Sequence, residues 1–231
     1  MFRLAFNMTS VGSKPKQEKP VVFVVDDDIS IRESLESLIE FAGWQPETFA
    51  SAEEFLARPR RTTPSCLVLD VSLPDLNGLE LQKLIAEDRV DMPIIFITGH
   101  GNVPMTVQAM KAGAVEFLTK PFDDEALLNA IRYAIARSSA VLDDQTEVRM
   151  LRDRFESLTS REQEVMRLVV TGMLNKQIAL KLGISEITVK AHRGKAMQKM
   201  QADSLADLVR IAARLGLGSA KNPWHTTEKR S

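Results

Sequence analysis

Cysteine is almost absent from this 231-residue chain: Cys66 stands alone inside an apolar run. That excludes an intramolecular disulfide and a cysteine-rich zinc site, and it fits a reducing cytoplasm. Long apolar runs are missing as well. No stretch of about eighteen apolar residues occurs, so neither a membrane span nor a membrane partner is expected. The opening segment MFRLAFNMTSVGSKPKQEKP lacks the apolar core of a secretory signal, and export is not expected. Internal repeats and low-complexity tracts are also lacking.

What is there is ordinary for a soluble globular protein, 44% hydrophobic and 26% charged, with length for two compact domains. The net charge of −1 hides a division. Residues 20–138 set ten lysines and arginines against nineteen acidic residues, a net of −9. Residues 149–231 set sixteen against eight, a net of +8. An acidic half joined to a basic half suggests a metal-binding or regulatory head and a nucleic-acid-binding tail.

In the acidic half, Val21–Val25, Cys66–Leu69 and Ile94–Ile97 are unbroken apolar runs, the pattern of parallel strands buried on both faces. Trp44–Phe49 and Val115–Leu118 are weaker candidates for two more strands. Apolar residues at helical spacing lie between them: Ile31, Leu35, Leu38, Ile39 and Ala42; then Leu79, Leu81, Leu84 and Ile85; then Met105–Met110 and Leu127–Ala134. Repeated β-then-α units predict an open parallel sheet with helices on both faces. Residues 139–157 read as a helical linker. Beyond it the β signal stops, and four short helices are expected near 160–171, 175–182, 185–199 and 204–214, the first capped by Thr159 or Ser160. Residues 1–19 read as a disordered leader, with Met8 an alternative start, and 218–231 as a flexible tail.

Ligands of open α/β sheets bind at the carboxyl ends of the strands, so the residues there carry the chemistry. Asp26, Asp27 and Asp28 end the first strand, Asp70 the third and Thr98 the fourth, and Lys120 follows the fifth. Carboxylates converging at one rim repel one another and call for a cation. Hard oxygen ligands favour Mg²⁺, which keeps waters and shares its shell with phosphate. Lys120 offers a compact positive charge to a phosphoryl oxygen, and the Thr98 hydroxyl a hydrogen bond.

This constellation resembles the receiver domain of two-component response regulators over residues 20–138, with spacings of 43, 28 and 22 between Asp27, Asp70, Thr98 and Lys120. The resemblance implies a five-stranded, flavodoxin-like doubly wound fold in which Asp70 is the phosphoacceptor. Mg²⁺ would be held by Asp27, Asp70 and the Ser72 backbone carbonyl, with Asp26 acting mainly through water. Lys120 would pair with the phosphoryl group, Thr98 would follow it, and Phe117 would rotate into the vacated space. Lys120-Pro121 resembles the family's cis peptide, and Asp70–Gly78 its loop. Ser72 and Leu73 depart from the usual basic-and-Met pair there. The Asp26-x-Asp28 pattern also suits an Mg²⁺-dependent phosphohydrolase, but the nearby lysine and the lack of a cap insertion weigh against it; no dedicated enzyme is expected.

In the basic half, Asn175–Leu182, Gly183 and a helix begun by Ser185 form a helix-turn-helix pattern. On the second helix Val189, Ala196 and Met200 should face inward. Ile187, Lys190, Ala191, Gly194 and Lys195 should face outward, with Thr188 and Arg193 at the margins, a face suited to a major groove. Leu158-Thr-Ser-Arg-Glu162, Gly172, Asn175-Lys176 and Ser185-x-x-Thr-Val-Lys-x-His192 resemble the LuxR-type DNA-binding domain over 158–217. The resemblance implies DNA contacts from Lys176, Thr188, Lys190, Ala191, Arg193, Gly194 and Lys195. Glu162 is expected to serve structure, and His192 to be packed or to face phosphate rather than bind metal.

The pair of domains resembles the NarL/FixJ class of response regulators, and Ile97–Phe117 is particularly FixJ-like. That implies a cytoplasmic regulator phosphorylated by a sensor histidine kinase, dimerising, binding double-stranded promoter DNA and acting with RNA polymerase as an activator. A DNA-binding or scaffold protein indifferent to phosphorylation is the other reading of the same two halves.

Overall fold

Apolar runs without polar alternation pair as parallel strands here, because crossover helices then cover both faces. The structure, a computed structural model, describes residues 19–74, 76–86 and 89–217. The expected leader, Lys19 apart, and the tail thus lie outside the described residues. Strands β1 (Val21–Val25), β2 (Gln45–Phe49), β3 (Ser65–Asp70), β4 (Ile94–Thr98) and β5 (Glu116–Thr119) form one parallel sheet in the order β2-β1-β3-β4-β5. The three runs that are apolar throughout occupy the centre and are buried. The two weaker candidates are the edges, where half-exposure lets β2 carry Gln45, Pro46 and Glu47.

Alternate residues of the central strands feed two cores. Val22, Val24, Cys66, Val68, Ile95 and Ile97 meet α1 (Ile29–Phe41) and the first part of α5 (Asp124–Glu156). Phe23, Val25, Leu67, Leu69 and Phe96 meet α2 (Ala52–Leu56), α3 (Gly78–Ile85) and α4 (Val103–Lys111). Two helical expectations are corrected. Helix α2, begun by the Ser51 side chain, is too short to show a periodicity and was not anticipated. Leu84 does not join the α3 core face; it is 59% exposed, while Leu81 and Ile85 are buried.

The stretch expected as a helical linker, 139–157, is helical through Glu156, and it continues without a break the helix that begins at Asp124, 33 residues and about 50 Å in all. The chain divides into two units after Leu142, inside this helix. Leu127 and Ile131 serve the first core, and Phe155 near its end joins the second.

The second unit is helical: α6 (Ser160–Val170), α7 (Asn175–Leu182), α8 (Glu186–Met200) and α9 (Leu205–Arg214). Of the two expected caps for α6, Thr159 takes the role: its hydroxyl accepts from Glu162 N, and Glu162 Oε2 accepts from Thr159 N at 2.9 Å. Gly183 closes α7 at φ +65°, where a side chain would be strained, and Ser185 begins α8. Val189, Ala196 and Met200 of α8 are fully buried against Val165, Met166 and Leu208, as their spacing predicts.

Candidate functional site

Sheet register assembles the acidic site. Val25 stands opposite Leu69 and Asp70 opposite Ile97, so Asp26, Asp70 and Thr98 end three adjacent strands at one rim. Asp26, Asp70 and Thr98 are all buried, at 0%, 4% and 0% exposure, while Asp27 is open to solvent. One carboxylate oxygen each from Asp26, Asp27 and Asp70 lies within 4.8 Å of the others, a spacing fit for a single cation. Lys120, joined to Pro121 by a cis peptide bond, is brought in by its N–H to the Thr98 carbonyl at 2.7 Å. Its Nζ donates to Asp26 Oδ2 at 2.6 Å and stands 3.6 Å from Asp70 Oδ1, beyond hydrogen-bond range.

Asp70 Oδ1 is therefore buried and, among the described residues, accepts no hydrogen bond. Burial raises the Asp70 pKa above the ordinary aspartate value; Lys120 opposes the rise, and the charges of Asp26 and Asp27 add to it. This is a carboxylate short of positive partners. The donor set fits Mg²⁺: oxygen ligands only, one of them exposed and one unsatisfied.

The loops are held from behind. Asp26 Oδ1 accepts from Asp28 N at 3.0 Å. Asp28 itself is occupied as the α1 cap, accepting from Ser30 N at 2.8 Å, which removes it from the acidic cluster and leaves the Asp-x-Asp pattern without a second carboxylate there. Arg32, which sequence reasoning did not select, donates to the carbonyls of Asp26 and Asp27 at 2.7 and 2.9 Å and so fixes the turn that presents Asp27. Its only sequence signal is a basic residue one turn into the helix behind three aspartates. On the other side, Val71 N donates to Ile97 O at 3.1 Å and Gly78 N to Val71 O at 3.0 Å, placing exposed Ser72 just beyond Asp70. A Cβ on Gly78 would lie 2.6 Å from the Asp70 carbonyl oxygen, so only glycine permits this loop to close on the strand end.

Thr98 and Phe117 share a packed cluster. The Thr98 hydroxyl accepts from His100 N at 3.2 Å, which leaves its proton to donate. Phe117 is half-buried on β5, its ring 6.1 Å from that of Phe96. A Cβ on Gly101 would meet Thr119 at 2.8 Å, Phe117 at 3.1 Å and Thr98 at 3.3 Å. Thr98, Phe117 and Thr119 thus all border Gly101, which leaves no room for a side chain there. On neighbouring α4, Val103, Val107 and Met110 form an exposed apolar stripe at 76%, 45% and 42% exposure.

In the second unit Lys190, Ala191, Gly194 and Lys195 are exposed on the α8 face opposite its buried residues, and Lys176 is exposed in the first turn of α7. Thr188 and Arg193 are half-buried at the margins and already engaged: Thr188 with Ser185 Oγ at 2.8 Å, Arg193 with Asn175 Oδ1 at 3.5 Å. His192 is half-buried, its Nδ1 shielded from solvent. Glu162 is structural in its geometry: besides the cap, it accepts from Lys199 Nζ at 2.7 Å, and those two bonds pull its pKa below the ordinary value.

Comparison with known proteins agrees with both units. Residues 22–132 match the response regulator receiver domain, and residues 156–212 match bacterial regulatory proteins of the luxR family. The chain is 50% identical over 208 residues to nodulation protein W of Bradyrhizobium diazoefficiens, covering 90% of this chain and 92% of that one. It is 42% identical over 197 residues to transcriptional regulatory protein FixJ of Rhizobium meliloti, covering 85% and 97%. A low-resolution structure of the response regulator StyR is similar with a TM-score of 0.75 and 48% identity, over 85% of this chain and 100% of that one. Among the described residues no helix is long and apolar enough to cross a membrane. An acidic rim of this geometry, a helix-turn-helix with its small-residue face exposed, and relatives alike over nearly their whole length lead to one assignment: the chain belongs to the NarL/FixJ class of two-component response regulators.

Proposed function

We propose that Asp70 accepts a phosphoryl group from a partner sensor histidine kinase and that this modification controls DNA binding by the second unit. The observation that carries the reading is Asp70 Oδ1, buried, without a hydrogen bond among the described residues and 3.6 Å from Lys120 Nζ, beside two further carboxylates. That oxygen attacks phosphorus in line; the new O–P bond forms as the P–N bond to the donor imidazole breaks, and the electron pair leaves with the imidazole. Asp27, Asp70 and the Ser72 carbonyl would hold Mg²⁺, with Asp26 acting through water. Bound there, Mg²⁺ supplies positive charge against the negative charge that grows on the phosphoryl oxygens. Lys120, within reach of both Asp26 and Asp70, pairs with one of those oxygens, and the Thr98 hydroxyl donates to another.

Drawn toward the phosphoryl group, Thr98 leaves space that Phe117 enters, and the outer face of α4 and β5 is reshaped in favour of a conformation already populated. The apolar stripe on α4 supports homodimerisation through that face. The dimer binds two half-sites of double-stranded promoter DNA about one helical turn apart. Lys176, Thr188, Lys190, Ala191, Arg193, Gly194 and Lys195 lie at or near the DNA, and the bound dimer activates RNA polymerase in the cytoplasm. The chain is not a dedicated enzyme; it acts only on its own acyl phosphate.

Incubation with acetyl phosphate and Mg²⁺, or with the partner kinase, should add one phosphate to the wild-type chain, read by intact-protein mass. Asp70→Asn should take up none. Undiminished phosphorylation of that variant would remove Asp70 from the reaction.

A further inference from the structure

Ile187 has no structural reason to be isoleucine. It is the second residue of α8 and is 80% exposed, on the side opposite Val189, Ala196 and Met200, which are fully buried. Ala191 and Gly194 follow it at helical spacing along the same outward line, and both are exposed. A Cβ placed on Gly194 meets no atom within 4 Å, so nothing among the described residues requires glycine there. A mid-helix glycine costs about 0.5–1 kcal/mol relative to alanine. Glycine at an open position therefore points to a surface outside the chain that approaches this helix closely.

The polar side chains around the start of α8 have neighbours within the chain, closely for Thr188 and loosely for Lys190 and Arg193. The Thr188 hydroxyl and N–H are bound to Ser185 Oγ at 2.8 and 3.1 Å. Lys190 faces Glu186 at 3.9 Å, and Arg193 reaches Asn175 at 3.5 Å. Ile187 is left as a large side chain with no hydrogen-bonding atom, placed where residues of a recognition helix meet base edges. Guanine, cytosine and adenine present only donors and acceptors in the major groove; thymine alone also presents a methyl group.

We propose that Ile187 is a specificity-determining residue that packs on the C5-methyl of a thymine in each operator half-site. The inference rests on the reading of α8 as the helix that enters the major groove, and it adds which base is sought and by which contact. Lys190 and Lys195 then contribute affinity that falls with salt, while Ile187 contributes sequence preference that does not.

The test begins by enriching randomised duplexes on the full chain treated with acetyl phosphate and Mg²⁺. Each thymine of the recovered sequence is next replaced by deoxyuridine, which pairs identically but lacks the methyl, and Kd is measured by fluorescence anisotropy at fixed salt. Burying one methyl group predicts about a fourfold loss for one half-site and about fifteenfold for both. Ile187→Ala should bind the thymine and deoxyuridine duplexes equally, and Ile187→Val should keep part of the difference. Because the side chain is exposed, the thermal midpoint of both variants should match the wild type. If no thymine shows a methyl effect, or if Ile187→Ala keeps the full effect, the proposal is overturned while sequence-specific binding stands. If no sequence is enriched at all, the DNA reading fails first and takes the proposal with it.

Discussion

Each unit of the molecule buries a carboxylate beside a lysine, and the two are treated differently. Glu162 in the DNA-binding unit is 3% exposed, and its Oε2 accepts from Lys199 at 2.7 Å and from the Thr159 N–H at 2.9 Å. Asp70 in the receiver is 4% exposed, yet its lysine is turned toward Asp26 and its Oδ1 has no hydrogen bond among the described residues. The pKa of Glu162 is pulled down by its partners; that of Asp70 is pushed up by burial and by like charges. A buried charge whose bonds are complete holds structure together. One left incomplete costs stability and is open to react, which is why a strained titratable group in a cleft marks chemistry.

Removing each lysine should separate the two carboxylates most strongly. Lys120→Met should slow phosphorylation by acetyl phosphate about a hundredfold, since it takes away charge stabilisation at the reacting group. Lys199→Met should leave that rate unchanged. A rate insensitive to Lys120 would place the phosphate elsewhere.

Stability should respond in the opposite sense. Glu162→Gln should destabilise the DNA-binding unit by about 1–3 kcal/mol in urea unfolding at neutral pH. Its pH dependence has a fixed sign. Because the folded pKa of Glu162 lies below the ordinary 4.5, its contribution is present above pH 4.5 and is lost as pH falls through the folded value. The variant should therefore show a flatter acid limb than the wild type.

Asp70→Asn should do the reverse and stabilise the Mg²⁺-free receiver at neutral pH by about 1–2 kcal/mol, by relieving carboxylate crowding. Here the folded pKa is raised, so the group is least costly below the ordinary 3.8 and its cost grows as pH rises through the folded value. The gain from Asp70→Asn should accordingly shrink on acidification. Equal stability of variant and wild type at neutral pH would show that Asp70 is better satisfied than its geometry implies.

The same contrast explains what could be read from the sequence. The central strands β1, β3 and β4 were legible because burial on both faces forces unbroken apolar runs, and their polar ends exposed Asp26, Asp70 and Thr98 to notice. Edge strands β2 and β5 were fainter because half-exposure relaxes that demand. Helix α5 reads as a receiver helix followed by a helical linker because its buried face lapses between Ser138 and Leu151. No local signal in such a stretch distinguishes a continuing helix from a linker. Within the site, residue identities were legible but pairings were not. That Lys120 sits on Asp26 rather than Asp70, and that Arg32 grips backbone carbonyls, depends on a difference of about an ångström set by packing.

The smallest effect tests whether the logic of Asp70 extends to the other unit. Gly194 is its analogue in α8: a choice that lowers stability and returns nothing among the described residues, since a Cβ there meets open space. Gly194→Ala should raise the stability of the DNA-binding unit by about 0.5–1 kcal/mol, from helix propensity alone. It should also weaken DNA binding several-fold, because the added methyl holds α8 away from the groove. Anisotropy titration and urea unfolding on the same preparation read the two effects together, and their opposite signs are the point. A variant that gained stability and kept its affinity would make Gly194 a neutral residue and confine the cost of function to the acidic site.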